Sequence, residues 1–202
     1  MNITVKIIKR LLLVIFILFF VLKLEAKEDS TYTFNIEISG GMVENIKPNL
    51  NKINIKSSSR FIYPSFRFLW KPDHKLNIGL STAFLQINKI DENNKTTEFG
   101  TTDLKIRTGA VPIMFLLNME FWGIQLNGAL GTSYTYSQLT AFNETSTSTK
   151  WINTYYASVG YNIYFLTDFH FGIEGEIYSF ADLKSGVLAL KAKFGYDFSV
   201  WK

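Results

Sequence analysis

The sequence predicts an all-β protein: an eight-stranded antiparallel transmembrane up-and-down β-barrel. Three observations predict it. Apolar and polar residues alternate with period two through eight segments of about 10 residues each, while helical periodicity is scarce. The apolar faces are rich in Phe, Tyr, Trp, Leu and Ile, and the polar faces are dominated by Gly, Ser, Asn, Ala and Gln. Small polar residues suit a narrow interior, and large apolar ones suit contact with lipid. Finally, the aromatics sort to the two ends of the strands, where amphipathic rings settle at membrane interfaces.

The eight segments follow in order. The first, Tyr32 to Gly40, sets Tyr32, Phe34, Ile36 and Ile38 against Thr33, Asn35, Glu37 and Ser39. The second, Arg60 to Trp70, sets Ile62, Phe66, Phe68 and Trp70 against Ser65 and Arg67. In the third, Leu76 to Ile87, Leu76, Ile78, Leu80 and Phe84 alternate with Asn77, Gly79, Ser81 and Ala83. The fourth, Leu104 to Leu116, places Leu104, Ile106, Ala110, Met114 and Leu116 opposite Lys105, Arg107 and Gly109.

The fifth, Trp122 to Tyr136, sets Ile124, Leu126, Leu130, Tyr134 and Tyr136 against Gln125, Asn127, Gly131 and Ser133. The sixth runs from Trp151 to Phe165, with Tyr155, Val159, Tyr161 and Ile163 opposing Ser158, Gly160 and Asn162. The seventh, Phe169 to Phe180, puts Phe169, Phe171, Ile173 and Ile177 against His170, Gly172, Glu174 and Glu176. The eighth is Val187 to Trp201, with Phe194, Tyr196, Phe198 and Val200 opposite Lys193, Gly195, Asp197 and Ser199.

The connections alternate between long and short. Polar loops span Val43 to Ser59, Asn88 to Thr102 and Ser137 to Lys150, and short turns are expected at Lys71 to Lys75, Asn118 to Glu120 and Leu166 to Asp168. That rhythm gathers the short turns at one end and the long loops at the other. Tyr32, Trp70, Trp122, Phe165, Phe169 and Phe198 then fall at the short-turn end, and Phe84, Tyr134, Tyr136 and Tyr155 toward the long-loop end. Pro64 and Pro112 cannot donate a ladder hydrogen bond, so bulges, or strand pairing that ends nearby, are expected there. A secreted barrel with an apolar inside and polar outside is the alternative, and it would need the reverse polarity of faces.

Composition narrows the function classes. Of 202 residues, 47% are hydrophobic and 16% aromatic, including 18 Phe, a load that a soluble core would have to hide almost entirely. The net charge is a mild +4 with scattered lysines, which argues against nucleic acid as a partner. With no cysteine, disulfides, thiolate metal sites and a lipid anchor on an N-terminal Cys are excluded. Lys6, Lys9 and Arg10 precede the apolar run Leu11 to Leu22, too short for the roughly 20 residues of a spanning helix. This reads as a signal peptide over residues 1–26, cut after Leu24-Glu25-Ala26, with the barrel domain over 27–202. An uncleaved anchor is the alternative.

On this pattern the chain resembles the small eight-stranded outer-membrane β-barrel superfamily of the OmpA/OmpX type. The most specific part is the C-terminal strand, "KAKFGYDFSVWK". Such barrels end in an assembly signal of polar, any, Gly, any, any, aromatic, any, aromatic. Lys193, Gly195 and Phe198 fit it, Val200 stands where the last aromatic belongs, and Trp201 and Lys202 follow. The resemblance implies a bacterial outer-membrane location, contact with outer-membrane lipid and recognition by the barrel-assembly machinery. With the chain closing on the barrel, no periplasmic cell-wall-binding domain is expected.

The inward faces carry Glu37, Arg67, Lys105, Arg107, Glu174, Glu176, Lys191, Lys193 and Asp197, with the two signs nearly balanced. Unpaired buried charge is costly, so these are lumen ion-pair candidates. A hairpin closing near Leu183-Lys184 would set Glu174 opposite Lys193 and Glu176 opposite Lys191, with Glu37 in reach of Lys193. The network reads either as a structural plug or as a narrow ion path. His74 and His170 are the only histidines, and neither has a Ser partner at triad spacing, so no catalytic residue, metal site or cofactor is expected. Function then falls to the exposed loops, 43–59, 88–102 and 137–150, in binding host or environmental macromolecules. A porin-like channel for ions or small solutes is the alternative.

Overall fold

The computed structural model describes residues 32–46, 57–58, 60–72, 76–97, 100–142, 144–165, 168–181 and 185–200. The expected signal peptide, its cleavage site, His74 and Trp201-Lys202 lie outside these residues. Two units divide the chain. Thr33–Phe198 forms the barrel, and of the other unit only Tyr32, Ser199 and Val200 are described.

The strands are β1 (Tyr32–Ile46), β2 (Ser57–Ser58), β3 (Arg60–Lys71), β4 (Leu76–Ala83), β5 (Leu85–Thr97), β6 (Gly100–Phe121), β7 (Ile124–Ala141), β8 (Glu144–Tyr164), β9 (Phe169–Phe180) and β10 (Ser185–Val200). β4 and β5 are two halves of one stave, interrupted at Phe84, and β2 is a short addition to β5. The sheet therefore has eight staves, in the order β1, β3, β4 with β5, β6, β7, β8, β9, β10. β10 returns beside β1, and the β6–β7 pairing joins the remaining edges, so the sheet closes. A spanning sheet requires that closure, because lipid offers no partner for open backbone groups.

Pro64 and Pro112 explain the interruption at Phe84. β3 pairs with β4 up to Ser65↔Ala83, and β6 pairs with β4 up to Thr82↔Ile113 and with β5 from Leu85↔Ala110. The β6 register is the same on both sides of the gap. Ala83 thus faces Pro112 and Phe84 faces Pro64, with Phe84 N donating to Pro64 O at 3.1 Å. The two residues without an N–H sit where the ladder is broken, so no shift of register is needed.

The outward faces are the lipid band. Ile38, Ile62, Phe66, Leu80, Leu126, Tyr155, Ile173, Leu190 and Phe194 are all exposed. At the short-turn end Phe68, Phe34 and Phe198 stack in sequence, with centroids 5.5 and 5.6 Å apart. Phe169 joins Phe165, Phe194 and Tyr196 in the same belt.

The structure corrects the fourth segment. Ala110, Met114 and Leu116 are buried inside the barrel, while Ile113, Phe115, Leu117, Met119 and Phe121 point outward. The stretch "AVPIMFLLNMEF" is apolar on both faces, so alternation alone could not orient it. The strand also runs on to Phe121, past the turn expected at Asn118 to Glu120. The real turn is Trp122-Gly123, both at positive φ (52° and 82°), between the pair Phe121↔Ile124. That is the two-residue hairpin geometry whose twist matches the strands. Trp122, expected to open the fifth strand, is instead 96% exposed at this turn.

Two of the expected long loops are strand. Residues 88–97 and 100–102 form the upper parts of β5 and β6, and residues 137–141 and 144–150 the upper parts of β7 and β8, paired as far as Ala141↔Glu144. Of the third, only residues 43–46 and 57–58 are described. Polar composition suggests loops, but Thr-rich runs pair readily as strands when a neighbouring hairpin supports them.

Candidate functional site

The lumen holds a closed set of charges. Arg67, from β3, reaches across the barrel. Its Nη1 donates to Glu174 at 2.8 Å and to Glu37 at 3.3 Å. Its Nη2 donates to Glu174 at 2.6 Å, to Glu176 at 3.0 Å and to the Tyr156 hydroxyl. Lys191 Nζ lies 2.5 Å from Glu176, and Lys193 Nζ lies 3.1 Å from Glu174 and 3.9 Å from Glu37. Three carboxylates thus meet three cations, and all six side chains are almost fully buried.

The β9–β10 register differs from the expected one by two residues. Lys191 stands opposite Glu174, and Lys193 opposite Gly172. The hairpin is centred one residue earlier than Leu183-Lys184. The Glu174–Lys193 and Glu176–Lys191 contacts form all the same, because diagonal neighbours across a strand pair lie within reach of a lysine.

Neutral groups complete the set. Tyr63 and Tyr178 donate to Glu176, and Tyr156 donates to Glu174 at 2.6 Å and to Glu176 at 2.8 Å. Ser158 and Asn127 also donate to Glu174. A chain of amides continues round the wall: Asn77 donates to Asn118 and Asn118 to Asn127, each at 2.6 Å. Lys193 donates to Gln125, and His170 Nε2 lies 3.3 Å from Glu37. The tyrosines and amides were not singled out from sequence. Their signal was there, since Tyr63, Tyr156 and Tyr178 occupy inward parity on strands already assigned.

Gly195 is shaped by the same site. It pairs with His170, and a Cβ built on it would collide with the imidazole ring. Nearer the short-turn end, Asp197 accepts from Lys71 at 2.6 Å and from Asn35 at 2.5 Å, as a separate pair. The remaining positions expected to form an assembly signal face outward: Phe198 stacks on Phe34, and Val200 is exposed.

Lys105 and Arg107 do not join the lumen. Both are exposed, on the outer face of β6 above the barrel wall. Their expected place followed from the wrong orientation of that strand.

Above the charges the lumen is mainly apolar, with the Ser133 and Thr154 hydroxyls buried in the same rows and paired with each other at 2.6 Å. Val43, Leu85, Ile87, Ala110, Ile152, Phe180 and Val187 are buried together toward the long-loop end. The interior is therefore layered, with an ion network in the middle and an oily plug over it.

Outside the lumen, the upper parts of β5, β6, β7 and β8 stand as a ribbon. β8 pairs with β9 only as far as Thr154↔Phe180. From Glu144 to Trp151 every side chain of β8 is exposed. Among the described residues, no strand pairs with the outer edge of β8 along Thr145–Thr149. The ribbon turns through Phe142 (φ 52°), whose N–H donates to Thr102 Oγ1 at 2.7 Å.

Comparison with solved structures places the fold. The structure of a major outer membrane protein from Thermus thermophilus matches with a TM-score of 0.55 and 9% identity, over 84% of this chain and 100% of that one. Neisserial surface protein A matches at TM-score 0.49 and 10% identity, over 82% and 97%. Ail, the attachment invasion locus protein of Yersinia pestis, solved with the heparin analogue sucrose octasulfate, matches at 0.48 and 15%, over 85% and 100%. No protein-family model and no curated protein sequence matches the chain. At these identities the likeness is one of fold.

Proposed function

From a fold it shares with small outer-membrane β-barrels, we propose that this chain is a bacterial outer-membrane protein whose barrel is a closed anchor. Its β5–β8 ribbon binds proteins outside the cell. The observation that carries this reading is the open edge of β8 along Thr145–Thr149. A bare strand edge offers a row of backbone donors and acceptors to which an extended segment of a partner can add. Soluble proteins blunt such edges with proline, bulges or inward charge. This one carries only Thr and Ser between Glu144 and Lys150. Phe142 adds a half-exposed ring at the tip.

The filled lumen weighs against the channel alternative. An ion path would cross a charge-neutral, hydrogen-bonded network and then a mainly apolar layer. The reading includes no catalysis, and it takes residues 1–26 as the export signal and Lys193, Gly195, Phe198 and Val200 as the segment read during assembly.

Binding to host cells or extracellular matrix tests the proposal. Bacteria displaying the parent chain are compared with a variant lacking residues 138–149 and with Thr147→Pro and Ser148→Pro. One of the two prolines removes an edge-facing donor, so at least one should abolish attachment while the barrel stays folded. Unchanged attachment by all three variants would refute the edge as the binding site.

A further inference from the structure

The outer face of the ribbon carries a second arrangement. The β6 register sets Arg107 opposite Lys89 on β5 and Gln138 on β7, and β7 sets Gln138 opposite Thr147 on β8. The next row up is Asp91, Lys105, Thr140 and Thr145. A register shift between Gln86 and Asn88 puts Lys89 and Asp91 on this face, with Ile90 buried on the other. Side chains directly opposite across an antiparallel pair lie about 5 Å apart. Each row therefore forms a continuous line of polar groups across four strands.

The charge in these rows is uneven. Lys89 and Asp91 satisfy each other at 2.7 Å. Their hydrogen bond, with Arg107 and Lys105 nearby, holds the Asp91 carboxyl below the usual carboxylate range, so it is ionised at neutral pH. Lys105 and Arg107 remain as two cations in these rows, with Asp103 one row above Lys105 on the same face of β6.

The rows beneath fix the height. Tyr136 lies opposite Gly109, one row below Arg107, and Tyr134 stacks on Trp151 one row lower, with centroids 5.4 Å apart. Below them the outer wall is Ile113, Phe115 and Leu130. Tyr and Trp mark the level where the apolar core of a membrane gives way to headgroups. Two residues of strand advance about 7 Å, so the cations stand one and two rows above the aromatic belt, at headgroup height.

We propose that Lys105 and Arg107, flanked by Gln138 and Thr140, bind the phosphate groups of an anionic lipid in the surrounding outer leaflet. A guanidinium offers paired donors that match phosphate oxygens, and the ammonium, amide and hydroxyl donors beside it reach the rest. The assignment rests on the outer-membrane placement proposed above.

Native mass spectrometry of the full chain in detergent, titrated with bis-phosphorylated lipid A or with its dephosphorylated form, tests it. The parent should prefer the phosphorylated lipid. Lys105→Gln/Arg107→Gln should lose about thirtyfold in affinity for it, as expected for two cations each contributing about 1 kcal/mol at an anionic surface. Affinity for the dephosphorylated lipid should not change. Arg60→Gln, which removes an exposed cation elsewhere, should bind like the parent. Equal affinity of the double variant and the parent, or no preference for the phosphorylated form, overturns the site. A heat-dependent gel shift shown by both proteins would make that a failure of the site alone. A parent that folds into no bilayer overturns the membrane placement and the site with it.

Discussion

Arg67 is the side chain on which the lumen network turns. It bridges Glu37, Glu174 and Glu176 and touches the Tyr156 ring, with its guanidinium carbon 5.5 Å from the ring centroid. Removing one partner from a buried charge cluster costs about 3–5 kcal/mol, because the remaining charges are left unmatched. Arg67→Ala should therefore lower the unfolding free energy in lipid by about that amount, read from urea titration. Removing a matched pair should cost less than the sum of its parts: Glu174→Gln with Lys193→Gln should show a coupling of about 1–3 kcal/mol. Gly195 offers a separate test. Gly195→Ala drives a methyl into the His170 ring and should destabilise by about 1–3 kcal/mol, as overpacking does. Adding His170→Ala should recover most of the loss. No recovery would mean that Gly195 is held by something other than the imidazole. Gly195 thus has a packing reason of its own, apart from any part in an assembly signal.

At the scale of elements, the facing of most strands was legible because their two faces differ in kind. In β7, Leu126 and Leu130 stand against Asn127 and Ser133, and the structure exposes the first pair and buries the second. β6 was not legible, because the upper lumen is apolar and its inward residues, Met114 and Leu116, look like lipid-facing ones. An inward-facing Lys105 and Arg107 follow from that reversed facing alone. The ion partners were legible without the register, because long side chains tolerate a slip of two residues. The ribbon was not legible, since a run such as "ETSTSTK" is polar on both faces and reads as a loop until a neighbouring strand is known to pair with it. The edge of β8 that has no partner among the described residues makes a specific prediction for hydrogen exchange. Within Thr145–Thr149, amides turned toward β7 should be protected and alternate ones should exchange as freely as in an unfolded chain. From Thr154 to Asn162, where β7 and β9 flank the strand, all should be protected. Uniform protection along Thr145–Thr149 would mean that the edge is covered.

For the whole molecule, closure and filling act together. A closed sheet leaves no backbone group to lipid, and the lumen is filled by matched charges below and mainly apolar side chains above, which is the basis for proposing that it does not conduct. Planar bilayers containing the parent chain should stay at baseline conductance, and Glu174→Gln with Lys193→Gln should leave them there. Discrete openings in the parent would restore the channel reading. The central claim is the closed membrane barrel, and gel mobility of detergent-extracted protein, unboiled against boiled, tests it most directly. The account predicts that the chain is recovered from the outer-membrane fraction and that the unboiled sample runs as a compact, faster band that boiling converts to the unfolded position. The same mobility with and without boiling, with the protein in the soluble fraction, would contradict it.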